Sequence, residues 1–168
     1  SDSAHFSYTG DWVYHDMSAE YPSGTSASTP SGWIGQGYWT HSHTADTTGS
    51  HVASFFVPQD VVDAGGLWNV GIWYGRGTAS TYAGNLQTVQ VVITHGTAIT
   101  TCTVNMAAYR THHSWNMLNN PVVEQFTFST GDRVMVTANF GGYLQENVGD
   151  VVADAVLFTK EGTNGVFD

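Results

Sequence analysis

The chain has 168 residues, 41% of them apolar and only 11% charged, with a formal net charge of −10. That length suits one domain with a sizeable core, and so low a charge fraction excludes a disordered acidic chain. Arg76, Arg110, Arg133 and Lys160 are the only arginines and lysines, which disfavours nucleic acid and anionic membrane, both of which want a basic face, and permits divalent cations and neutral glycans.

Helical periodicity is nearly absent, and short apolar runs with period-two alternation predict strands. In chain order they fall at 4–9, 11–16, 36–42, 50–57 and 67–74, then at 87–94, 97–105, 123–128, 133–139 and 151–159. The stretch YPSGTSASTPSG (21–32) is a loop between strands, and RGTASTYAGN (76–85) is a second one. Thr94-His95-Gly96-Thr97 reads as a tight hairpin turn and Ser129-Thr130-Gly131-Asp132 as another. This spacing predicts an all-β chain, an antiparallel β-sandwich or jelly roll of about 8–10 strands, with residues 1–168 as one domain.

No apolar run is long enough for a membrane-spanning helix. The start at Ser1 rather than Met reads as the processed N-terminus of a secreted, extracellular or cell-surface protein. Cys102 is the single cysteine, which excludes an internal disulfide and a cysteine-based zinc site. It is expected to be a small buried hydrophobe on a strand, with an intermolecular disulfide as the alternative.

From residue 64 onward five segments follow in order: AGGLWNVGIWY (64–74), VQVVITHGTAITTCTVN (89–105), SWNML (114–118), FTFSTGDRVMVTA (126–138) and VVADAVLF (151–158). The chain resembles the golvesin C-terminal / xanthan-lyase carbohydrate-binding-like family through Trp73-Tyr74, His95-Gly96, Trp115-Asn116 with Leu118, and Ala153-Asp154-Ala155-Val156. The resemblance implies a galactose-binding-like jelly roll in a secreted, non-catalytic module, with structural roles for Trp73, His95 and Asp154. The chain departs from the family in the segment Asn119–Val123 and in Leu157, where the family carries an arginine.

Asp154 is a carboxylate inside the apolar run VVADAVLF. Burial of a charge demands compensation, so it is expected either to accept hydrogen bonds from loop N–H groups or Trp115, or to ligate a structural Ca²⁺ as in related galactose-binding-like modules. Calcium takes six to eight oxygens. Asp11 and Asp150 are taken with it as the candidate calcium ligands, and Asp16, Glu20 and Asp46 could supply more oxygens. His41-x-His43 is a possible metal pair without an evident third ligand, and His112-His113 lies beside Trp115.

Trp68, Trp73, Phe55, Phe126, Phe128 and Phe158 fall within strands and are expected in the core. Trp12, Tyr14, Trp33, Tyr38, Trp39, Tyr82, Trp115 and Tyr143, with Asn116, are the candidates for a sugar-stacking platform or a protein interface. No G-x-S-x-G, H-E-x-x-H, P-loop or dinucleotide motif is present, so the chain is expected to be non-catalytic. Two readings follow. The first is a structural subunit that self-assembles into a filament, sheath or matrix through strand edges and aromatic loops. The alternative is a carbohydrate-binding module for an extracellular polysaccharide.

Overall fold

Alternating side chains and turn residues set out twelve strands among the residues that the computed structural model describes: 5–10, 12–15, 38–42, 51–73, 88–105, 115–118, 125–137, 150–160 and 166–167. They are β1 (Phe6–Thr9), β2 (Val13–His15), β3 (Tyr38–Ser42), β4 (Val52–Phe56), β5 (Asn69–Trp73) and β6 (Thr88–His95), followed by β7 (Ala98–Asn105), β8 (Asn116–Met117), β9 (Arg133–Thr137), β10 (Asp150–Ala153), β11 (Ala155–Thr159) and β12 (Val166–Phe167). A short helix, α1 (Gln59–Ala64), lies between β4 and β5.

Every strand pair among the described residues is antiparallel. The pairs form a five-stranded sheet in the order β1-β4-β9-β6-β7, a three-stranded sheet β10-β3-β2 and a four-stranded sheet β12-β11-β5-β8. The chain is therefore an all-β sandwich of antiparallel sheets, as its spacing predicts. Ala53 and Phe55 of β4, Val134 and Val136 of β9, and Val91 and Ile93 of β6 share one face of the large sheet and are buried. They join one core cluster with Val70 and Ile72 of β5, Val151 and Ala153 of β10, and Val156 and Phe158 of β11. Phe128 meets Phe158 edge-on at 5.4 Å.

Two hairpin features follow from local sequence. Gly96 takes a φ of 62° in the turn between β6 and β7, where His95 pairs with Ala98; a side chain would strain that conformation. The eight paired residues on each strand make this the longest ladder among the described residues.

Two expectations about elements need correction, and one element was not foreseen. The run 151–159 is not one strand: it breaks at Asp154, and β10 pairs with β3 while β11 pairs with β5. Of the segment 123–128, the described residues 125–128 form only a bridge, in which Trp68 and Phe126 exchange N–H···O bonds of 2.9 and 2.8 Å, and 123–124 lie outside the described residues. Its aromatic alternation reflects burial of Phe126 and Phe128, not a ladder. Helix α1 escaped the reading because six residues are too few to show a period; Pro58 starts it, Gly65 at φ 53° ends it, and Val61 anchors it in the core. Lys160 ties its end down, donating to the Ala64 carbonyl at 3.1 Å with its ammonium 4.6 Å from the Trp68 ring centre.

Candidate binding face

Alternation that fills the core on one side of the five-stranded sheet must place the other residues of each strand outside. The register aligns them in rows. Phe56, Arg133, Thr94 and Ile99 form one row, Ser54, Met135, Val92 and Thr101 the next, and Val52, Thr137, Gln90 and Thr103 the third. Ser54 is buried at the β4 side, and Val52, Phe56, Met135 and Val92 are half-buried. The open part lies over β6, β7 and the start of β9: Gln90, Ile99, Thr101, Thr103 and Arg133 are exposed, Ile99 by 69%.

Arg133 is the one charge among these outward positions, in a chain whose net charge is −10. Its guanidinium carbon lies 6.0 Å from the centre of the Phe56 ring. Thr94 is held to β9, its Oγ1 accepting from Arg133 N–H at 2.9 Å, and Thr137 Oγ1 donates to the Gln90 carbonyl at 2.8 Å. The remaining hydroxyls and the Gln90 carboxamide face outward beside aliphatic groups. That mixture offers donors, acceptors and apolar contact to a neutral polyhydroxylated ligand, with one guanidinium suited to a carboxylate.

The end of this sheet is fixed by a carboxylate that the sequence showed only as a turn residue. Asp132 is 6% exposed, and its Oδ2 accepts from Gly96 N–H at 2.8 Å and Ser129 N–H at 2.7 Å. One oxygen thus joins the β6–β7 turn to the turn before β9. His95 supports the same corner: its Nε2 lies 3.0 Å from Thr100 Oγ1, and its ring meets Phe126 edge-on at 5.1 Å.

The residues singled out from sequence are only in part among the described residues. Trp12 is a correction to the platform set: it is 6% exposed, belongs to the core and donates from Nε1 to the Thr9 carbonyl at 3.1 Å. A stacking or interface ring must present a face, and this one is covered. Tyr14 and Trp39 are cross-strand partners on β2 and β3, and Tyr38 pairs with His15. Trp115 is half-buried and meets Trp73 edge-on at 5.6 Å, so Trp73 sits at the margin of the core rather than within it. Asn116 pairs with Ile72. Trp33, Tyr82, Tyr143, His43, His112 and His113 lie outside the described residues.

Asp154 is half-buried at the crossing between two sheets, where it has an interaction partner. Asp150 lies on β10 opposite Ser42, and Asp11, Asp16, Glu20 and Asp46 fall outside the described residues. Among the described residues no group of three or more His, Cys, Asp or Glu side chains is placed to hold a metal, so the oxygen set calcium requires is not assembled there. Cys102 is buried, its Sγ 3.6 Å from the Leu118 carbonyl, as a core residue should be. Among the described residues no helix is long and apolar enough to cross a membrane.

Sequence reasoning missed the outward face itself, together with Tyr8, which is 46% exposed on β1. The usable signal was in AITTCTVN (98–105): Cys102 and Val104 alternate with exposed Thr101 and Thr103, and no charge interrupts them.

No family model matches the chain, and no curated protein matches it. Among solved structures the chain is similar to part of a Paenibacillus xanthan lyase, with 21% identity and a TM-score of 0.60. The match covers 95% of this chain but only 12% of the lyase. At this identity the likeness is one of fold, between this chain and a domain-sized piece of a much longer lyase.

Proposed function

We propose that the chain is a non-catalytic, extracellular polysaccharide-binding module, related to the golvesin C-terminal / xanthan-lyase carbohydrate-binding-like family. The observation that carries this reading is the likeness of nearly the whole chain to 12% of a xanthan lyase, a share suited to an accessory domain. The exposed face of Gln90, Thr101, Thr103 and Arg133 supports it chemically. The filament-subunit reading ranks second, since this likeness concerns a protein that acts on a polysaccharide.

Affinity electrophoresis in gels containing xanthan or a neutral glucan tests the proposal. Retardation is expected, with Arg133→Ala weakening binding by about tenfold, the scale of one lost polar anchor. Unchanged mobility across acidic and neutral polysaccharides would overturn it.

A further inference from the structure

Strand β7 ends the five-stranded sheet, and among the described residues nothing pairs with its outer side. The two-residue turn makes His95 and Ala98 a hydrogen-bonded pair. Antiparallel ladders alternate. Residues 98, 100, 102 and 104 therefore direct their N–H and C=O groups toward β6, and Ile99, Thr101 and Thr103 direct theirs away from it. The side chains of these three residues are also exposed, on the outer face.

Natural sheets protect such an edge with lysine, proline, a bulge or a short strand. β7 has none of these: AITTCTVN carries no charge and no proline, runs eight residues, and pairs with β6 without a bulge. An edge of this length, unpaired among the described residues, is a template for another strand.

The geometry points to a second copy of this chain as that strand, added antiparallel across a two-fold axis at Thr101. An antiparallel edge is self-complementary, as a two-fold contact demands. In this register Thr101 faces the partner's Thr101 and Ile99 the partner's Thr103. Outer-face side chains then meet outer-face side chains, and two five-stranded sheets become one of ten strands. Charge also favours the arrangement. Two chains of net charge −10 repel, and their contact is favoured where neither contributes a charge. A single edge buries less than the roughly 1,200 Å² of a stable interface, so the dimer is expected to be weak and concentration-dependent.

The edge shares Thr101 and Thr103 with the proposed binding face, but its test, run without polysaccharide, reads a different quantity. Sedimentation velocity of the full chain, from low micromolar to about 1 mM, covers the range of weak association. A reversible shift toward twice the chain mass is expected. Thr101→Pro removes an outward N–H while sparing the β6 ladder, a placement edge strands tolerate. It and Ile99→Lys should remain monomeric where the parent is at least half dimeric. Thermal melts of both variants confirm that they fold. A parent that stays monomeric throughout the range overturns the inference, as does dimerisation of the folded Thr101→Pro variant at parental strength.

Discussion

At the scale of single residues, two positions, Asp132 and Gly10, show what holds a charge-poor protein in shape. The Asp132 carboxylate accepts two backbone N–H groups from two different turns while nearly excluded from water. Asp132→Ala strands both donors and should lower stability by about 2–3 kcal/mol. Asp132→Asn keeps an acceptor oxygen and should cost about 1 kcal/mol. Denaturant unfolding reads both values, and equal losses would deny the carboxylate its role as a shared acceptor. Gly10 is the second case. It has a φ of 85°, and a Cβ built there would run into the His51 imidazole. Gly10→Ala should therefore lose about 2 kcal/mol, from backbone strain and displaced packing; a loss below half of that would show that the imidazole moves aside freely.

At the scale of elements, β11 and the crossing before it are the decisive pieces. Ala155, Val156, Leu157 and Phe158 are buried without alternation, so β11 is covered on both faces. Phe158, fully buried against Phe128, should cost about 3–5 kcal/mol when cut to alanine, a large share of a typical domain's stability. A loss under about 1.5 kcal/mol by calorimetry would show that the surrounding sheets close over the gap. This apolar run was legible in the sequence, and so were the two long strands with their Gly96 turn, because local pattern and local structure agree there. The break at Asp154 was not. A carboxylate between apolar pairs announces that a charge needs a partner, but only strand pairing decides that the chain changes sheets at that point. The candidate face was illegible for a related reason. Rows running across strands arise from register, and Arg133 approaches Phe56 across β9 and β4, which lie far apart in the chain. The aromatic platform expectation failed at Trp12 because composition counts rings without telling which of them the core absorbs.

At the scale of the whole molecule, the sandwich stands on apolar packing, and its surface chemistry is largely neutral. Asp154 already has an interaction partner at the sheet crossing. Chelation with EDTA should accordingly leave the melting temperature unchanged; a fall of several degrees, restored by calcium, would assign that carboxylate to a cation instead. The order of strands has a further consequence, for synthesis. β9 lies between β4 and β6 in space but follows both in sequence. Until residue 137 has been made, β1–β4 and β6–β7 are two separate ribbons with no strand to join them. A chain growing from the ribosome thus carries the open inner edge of the β1–β4 ribbon until β9 is made, and that of the β6–β7 ribbon as well once Asn105 has been added, a state prone to aggregation and slow to resolve because the missing contacts are long-range. Chains ending before Arg133 should be recovered as aggregates, and solubility should return only when the stop codon is moved beyond the strands that follow.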